Sequence, residues 1–330
     1  MNSADQHLIE RQKSDLAYQK AILGSVSRTF ALTIPLLPSE MEVVVGNTYL
    51  LCRIVDTIED AAELLPNTKQ ELSALFIEAV LGSIPVTLFV EPCLDALKAH
   101  SNVDELDLIS HTPTVLRILH TFPNEDQAVI SRCVSIMSEG MSYFHNRQSA
   151  VGLKDLGEFE KYCYVVAGVV GELLTTIFSN YSPEFAKRIK GHEKLAIDFG
   201  QALQMTNILK DSPEDRARGV SWMPADITQE SLLSIAYKKL QNSLAYIFLI
   251  PKTEKGMRQF CFLAFGLAVM TLEKIATRKE LDDQAPTKLS RNTVWLFYGF
   301  TKIAACNDLM LKIFFHIASQ KLRKNTVLHS

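Results

Sequence analysis

Between Tyr49 and Asp60 a mostly apolar run carries an arginine and three carboxylates, and few folds can house such a segment. It reads Tyr49-Leu50-Leu51-Cys52-Arg53-Ile54-Val55-Asp56-Thr57-Ile58-Glu59-Asp60. On an α-helix, residues three, four or seven apart share a face. Tyr49, Arg53, Asp56 and Asp60 step by four, three and four, so one face holds all of them. Leu50, Leu51, Ile54, Val55 and Ile58 point in the other directions, which requires a helix packed on most sides. A charged stripe in that setting is costly unless something compensates it. Two aspartates one turn apart repel each other by about 0.2–0.5 kcal/mol even when exposed. Buried together, they ask for a cation. Hard carboxylate oxygens suit Mg²⁺, which keeps waters and also grips phosphates.

A lone pattern of this kind is commonly a solvated polar face. A second copy far along the chain changes the reading. In Gln204-Met205-Thr206-Asn207-Ile208-Leu209-Lys210-Asp211-Ser212-Pro213-Glu214-Asp215, the polar residues Gln204, Asn207, Asp211 and Asp215 step by three, four and four. The expectation is that the two stripes meet across one cavity and chelate metal ions together with a diphosphate. Asp56, Asp60, Asp211 and Asp215 are the expected metal ligands, with Glu59, Asn207 and, more weakly, Glu214 beside them. Arg28 and Arg53 are candidate diphosphate cations, because guanidinium grips phosphate oxygens in a fork. Ser27, Gln204 and Asn207 offer neutral groups to the same region.

Four stretches together make the chain resemble the squalene/phytoene synthases, which join two prenyl diphosphates head to head. They are Ser27-Arg28-Thr29-Phe30, Asp56-Thr57-Ile58-Glu59-Asp60, Tyr162-Cys163-Tyr164-Val165-Val166-Ala167-Gly168-Val169-Val170-Gly171, and the Gln204–Asp215 run. The resemblance covers about residues 20–280, and the first acidic motif is similar to the form found in the squalene branch. It implies the all-α isoprenoid synthase fold, a single helical bundle with a central catalytic cavity. The implied reaction condenses two farnesyl diphosphates through presqualene diphosphate to squalene, with NADPH reduction in the second step. Alternatives within the family are a phytoene- or dehydrosqualene-type synthase without reduction, and a presqualene diphosphate synthase that stops at the first step. A helical binding protein without turnover and a head-to-tail elongating enzyme are the rivals from outside it.

The resemblance also implies roles. Tyr162 and Tyr49 stand where the family handles the carbocation or moves a proton to the departing diphosphate, and both chemistries are within reach of a phenol. Lys210 and Arg218 join the diphosphate-binding set. Phe30, Val166, Gly168, Val169, Leu173 and Leu203 are the candidate lining of a tunnel for the prenyl tails, although such apolar stripes are commonly plain core. Mg²⁺, with Mn²⁺ as a substitute, and NADPH are the implied cofactors. No Gly-rich dinucleotide fingerprint is present. The chain departs from the family at three positions, with Lys210 and Val220 where arginine is common, and Val165 ahead of Val-Ala-Gly where tyrosine or a small residue is common.

Composition narrows the rest. With 330 residues, 47% of them hydrophobic, the chain can bury a substantial core. A net charge of −3 gives no electrostatic case for nucleic acid. Cys52, Cys93, Cys133, Cys163, Cys261 and Cys306 show no metal-ligand spacing, which fits a reducing compartment. The polar N-terminal residues do not resemble a signal peptide. The charge-free apolar run from Gln259 to Leu272 is short for a membrane span. The expectation is therefore a cytoplasmic enzyme, monomeric or weakly dimeric, with at most peripheral membrane contact for release of its hydrocarbon product.

Apolar periodicity predicts helices over 8–30, 39–62, 68–82, 92–100, 104–110, 112–121, 124–146, 156–178, 184–211, 229–250, 253–280 and 290–320. No period-two run is long enough for a sheet. Ser39 and Glu42 look like a capping box. Pro213 is expected to place Asp215 in a distorted turn. One all-α domain over 1–330, with its core at about 20–280 and C-terminal helices at 290–320, is the predicted organisation.

Overall fold

The computed structural model describes residues 3–27, 29–61, 63–147, 149–277 and 288–328, with side chains described for residues 6–324 of these. The described residues are mainly helical and contain no strand, only an isolated bridge between Leu153 and Pro224. The chain packs as two compact units that divide after Asn146.

The first unit comprises α1 (Ser3–Val26), α2 (Phe30–Thr33), α3 (Ser39–Asp60), α4 (Pro66–Val80), α5 (Thr87–Leu97), α6 (Val103–Ser110), α7 (Thr112–Leu119) and α8 (Asn124–His145). Its axis is α3, whose Leu50, Leu51, Ile54, Val55 and Ile58 are buried against α1, α4, α6, α7 and α8. Buried polar groups set the register. The Asn47 amide donates to Gln19 Oε1 at 3.2 Å and to the Val115 carbonyl at 2.9 Å, tying α3 to α1 and α7. The expected capping box at Ser39 does not form. Extended Pro38 occupies the N-cap position, so Ser39 is already helical and no side chain caps it. The capping box in this unit is Asn102 with Glu105, at the start of α6.

The second unit comprises α9 (Leu156–Cys163), a π-helical turn (Tyr164–Gly168), α10 (Val169–Tyr181), α11 (Pro183–Ile189), α12 (Lys194–Ala217), α13 (Gln229–Leu249), α14 (Lys255–Thr277), α15 (Arg291–Ala304), α16 (Asp308–Ala318) and α17 (Gln320–Leu328). Its centre is α12, packed by α9, the π turn, α10, α13 and α14. Three expectations are corrected here. The predicted continuous helix over 156–178 is interrupted by the π turn, which rotates α10 relative to α9. The predicted helix over 290–320 is two helices, because the Asn307 side chain accepts from Leu309 and Met310 N–H and starts α16 afresh. Helix α12 runs through Pro213 to Ala217, so Asp215 stays on a helix. Pro213 would orphan the Leu209 carbonyl, and the Ser212 hydroxyl supplies the missing donor at 3.2 Å.

By length and composition alone, Leu156–Tyr181 and Lys255–Thr277 could each cross a membrane. In this structure Phe159, Leu173 and Phe178 of the first, and Phe262, Leu263 and Phe265 of the second, are buried in the protein's own core.

Glycines allow α12 its close neighbours. A Cβ on Gly171 would lie 2.1 Å from the Ala196 carbonyl oxygen, and one on Gly200 would lie 2.1 Å from that of Ala167. Both are backbone contacts that cannot yield without moving a helix. Gly299, exposed in mid-α15, has nothing within 4 Å of the same position. Gly171→Ala and Gly200→Ala should each lower the thermal midpoint, by about 2–3 kcal/mol of stability. Gly299→Ala should raise it by about 0.5–1 kcal/mol. Thermal melts followed by circular dichroism check both signs.

Candidate active site

Helix α3 carries the first stripe with Asp56 half-buried and Asp60 exposed at its C-terminal end. Burial and the Asp60 charge push the Asp56 carboxyl up to about 7, and Arg53 offsets only part of this. Arg53 has a second carboxylate to serve. Its terminal nitrogen is held by Glu105 of α6 rather than by either aspartate, while its buried Nε has no hydrogen-bond partner. Glu105 is itself fixed, since its other oxygen accepts from the Asn102 N–H at 3.1 Å. A buried donor with no acceptor among the described residues, on the same face as a carboxyl that burial raises, is the local chemistry that an oxyanion and a divalent cation would satisfy together.

Glu59, expected among the metal ligands, is turned off this face. Only 1% exposed, it lies against α4 and α8, where Ser73 donates to its Oε1 at 3.3 Å and His145 Nδ1 is 3.5 Å from Oε2. Lys69 and His145 both reach the Glu59 carbonyl oxygen and so hold the end of α3. Burial pushes His145 down to about 4, leaving it neutral at neutral pH.

Tyr49 continues the stripe one turn towards the N-terminus. Its ring lies 4.5 Å from that of Phe30, which is 38% exposed and therefore not core. Ser27 accepts from the Phe30 N–H at 3.1 Å, and the Tyr49 hydroxyl donates to the Val26 carbonyl at 3.5 Å. Burial raises the Tyr49 hydroxyl pKa, and Ser27 and Arg53 oppose the rise. Ser27, Phe30, Tyr49, Arg53, Asp56 and Asp60 thus come from neighbouring parts of the first unit. Arg28 falls outside the described residues.

In the second unit, Gln204, Asn207, Asp211 and Asp215 all lie on α12 as the spacing predicts. Lys210 bridges the stripe, with Nζ 3.2 Å from Asn207 Oδ1 and 3.3 Å from Asp211 Oδ2. Burial raises the Asp211 carboxyl despite this partner. Asp215 pairs with Arg218, which is otherwise mostly exposed. Glu214 is exposed and reaches Lys288. The Val220 N–H donates to the Asp215 carbonyl at 3.0 Å, so the residue standing in place of an arginine has a backbone role.

Tyr162 is buried near the end of α9, and Trp222 stacks on its ring. Of the expected tunnel residues, Val169 and Leu173 are fully buried, Gly168 packs against Tyr164 and Ile197, and Val166 and Leu203 are half-buried. Among the described residues no three His, Cys, Asp or Glu side chains converge as a ready-made metal cluster. Mg²⁺ typically takes one or two carboxylates and completes its shell with water and substrate phosphate. A stripe of two aspartates fits that habit. Sequence reading missed Glu105 and Trp222. The Asn102/Glu105 capping pattern was a signal for the first, and its tertiary partner Arg53 was not.

Comparison with known proteins follows from this geometry. The model of the family described as squalene/phytoene synthase matches residues 23–239. A squalene synthase of Saccharomyces cerevisiae is 26% identical over 294 residues, which is 79% of this chain and 61% of that protein. That of Eremothecium gossypii is 28% identical over 276 residues, 76% and 60% respectively. The human squalene synthase is 29% identical over 206 residues, 62% and 45%. The chain spans about half the length of the curated relatives it matches. Among solved structures, TcSQS bound to the ligand E5700 superposes with a TM-score of 0.76 at 21% identity, covering 96% of this chain and 99% of that one. A dehydrosqualene synthase complex gives 0.60 at 19% identity, covering 89% and 97%. At these identities the two structures establish the shared fold.

The Asp56/Asp60 pair predicts a particular pH dependence in metal-free protein. The folded chain retains on Asp56 a proton that the unfolded chain has released by about pH 4–5. The stability this contributes is complete below the unfolded value and is lost as pH rises through about 7. Asp56→Asn should therefore raise the melting temperature at pH 8 by about 2–4 °C. The gain should shrink towards zero as pH falls to about 4. Melts in chelator across that range measure it.

Proposed function

The chain belongs to the squalene/phytoene synthase family, and on that premise we propose that it condenses two farnesyl diphosphates head to head, through presqualene diphosphate, to squalene. The observation that carries this reading is the repeated stripe, with half-buried aspartates, Asp56 and Asp211, whose carboxyl pKa is raised by burial, on two helices otherwise committed to the core. Asp56 and Asp60 on α3, and Asp211 and Asp215 on α12, are the residues that would hold Mg²⁺ or Mn²⁺. The bound metal supplies positive charge to the departing diphosphate.

The remaining roles belong to the protein's own groups. Arg53 Nε is a preoriented donor for a diphosphate oxygen, because Glu105 fixes the guanidinium from its far end. Arg28 is a second candidate for this work, with Ser27 beside it. Lys210 turns from Asn207 and Asp211 towards an arriving phosphate, and Gln204 and Asn207 orient it and its waters. Arg218 releases Asp215 for metal while staying within reach of the anion. Tyr162 and Tyr49 hold or move the proton near the leaving oxygen, and Phe30 covers the Tyr49 ring against water. Val166 and Leu203, half-buried, present apolar surface to the prenyl tails.

NADPH enters through the family alone. The described residues contain no strand and hence no Gly-rich strand–turn–helix cradle for a dinucleotide. Incubation with farnesyl diphosphate and Mg²⁺, with and without NADPH, tests the reductive half. Squalene should appear only with NADPH. A hydrocarbon indifferent to NADPH indicates the dehydrosqualene type, and accumulation of presqualene diphosphate in both arms indicates a one-step enzyme. Asp56→Asn and Asp211→Asn should each reduce turnover by about 100-fold or more with helical content unchanged. Retained activity in both would remove the two-stripe mechanism.

Contact with a membrane surface belongs to the same reading, since the product is a hydrocarbon. Trp295, Leu296 and Ile303 of α15 and Leu309, Ile313 and Ile317 of α16 are exposed. Over residues 288–324 the charges are Lys288, Arg291, Lys302, Lys312, Lys321, Arg323 and Lys324 against Asp308 alone. A basic surface with exposed aromatic and aliphatic side chains suits anionic lipid. The protein should float with anionic vesicles and not with neutral ones. Leu296→Glu with Ile313→Glu should cut the bound fraction about tenfold.

A further inference from the structure

Trp222 sits in the loop that leaves the second stripe, and its indole stacks on Tyr162 with ring centroids 4.3 Å apart and planes 6° from parallel. Tyr162 is 5% exposed and lies one residue before the end of α9, immediately ahead of the π turn. The regular i→i−4 ladder changes register in that turn, from Tyr164 onward. The loop carrying the indole is clamped. The Ser221 N–H donates to the Ser149 carbonyl at 3.0 Å, Leu153 N–H to Met223 at 3.1 Å, and Ala225 N–H to Leu153 at 2.9 Å. Gly152 permits this approach: its φ is +99°, and a Cβ there would lie 2.1 Å from the Met223 oxygen. The same loop is anchored to the stripe through Val220 N–H on the Asp215 carbonyl at 3.0 Å.

We infer that Trp222 is a positioning residue for Tyr162, an aromatic platform held by the paired segments 149–153 and 221–225. The face of Tyr162 under the indole is closed to a substrate cation. This role rests on the use of Tyr162 proposed above.

Trp222 and Trp295 are the chain's two tryptophans, so Trp295→Phe leaves Trp222 as the only indole emitter. In that background Tyr162→Leu should shift emission to longer wavelength as the indole loses its cover. Unchanged emission would overturn the stack itself. In the full chain with farnesyl diphosphate and Mg²⁺, Trp222→Leu should lower kcat about tenfold or more while KM stays within about twofold. Trp222→Phe, which keeps a flat platform, should recover kcat to within about threefold of the parent. Equal losses in the Leu and Phe variants, a loss confined to KM, or no loss would each overturn the positioning role. If Trp222→Leu does not fold, Gly152→Ala, which displaces the clamp, should give the same split of kcat from KM, and an undisturbed kcat would count against the inference. A parent chain with no turnover removes the proposed reaction and this role with it, whereas turnover insensitive to Trp222 removes this role alone.

Discussion

Two like charges one helical turn apart, on a helix whose other sides are core, are the constraint around which the first unit is arranged. Leu50, Leu51, Ile54 and Val55 commit α3 to burial, so Asp56 cannot withdraw into water without unpacking them. Arg53 offsets only part of the effect of that burial, and its terminal nitrogen is also engaged by Glu105. The result is a carboxylate that burial makes give up its proton late and a guanidinium Nε with no acceptor among the described residues. Both are costly in the protein alone, and both costs fall when a divalent cation and an oxyanion arrive. Strain of this kind is tolerated because the neighbouring packing is strong enough to impose it.

The second unit reaches a similar end by different means. Helix α12 is crowded by close backbone contacts at Gly171 and Gly200, which bring the π turn and α10 against it. Its polar face is compensated in place, Asp211 by Lys210 and Asp215 by Arg218. The partners are a lysine and a largely exposed arginine, long side chains that can swing away, whereas Arg53 is locked. The first stripe is therefore preoriented and short of charge, and the second is charge-balanced and adjustable. A buried network behind the second stripe keeps α12 in place. Lys239 reaches Asp198 at 3.0 Å and Gln201 at 2.8 Å, and holds the Asp198 carboxyl below its ordinary range together with Lys194.

Much of this was legible in the residues. The helical class followed from apolar spacing without period-two runs, and both stripes lie on helices as their steps of three and four require. The differences share one cause, which is that local rules omit tertiary and neighbouring partners. Pro213 does not break α12, because the Ser212 hydroxyl replaces its missing donor. Ser39 does not cap α3, because extended Pro38 takes that position. Glu59 stands next to Asp60, yet a helix turns about 100° per residue, and that turn aims it at Ser73 and His145. Of the glycines in the third motif, Gly171 is a backbone contact with Ala196, which its sequence position alone does not reveal.

The sequence by itself determined the class of fold, the family and the faces on which the acidic side chains lie, because helical periodicity converts spacing directly into direction. Only the tertiary structure decided how each charge is compensated. That Arg53 serves Glu105, that Glu59 is buried against α8, and that Tyr162 lies beneath Trp222 all depend on residues 52, 86 and 60 positions apart in the chain. Contacts over such separations leave no periodic trace, since they arise from the packing of whole helices rather than from the local geometry of one.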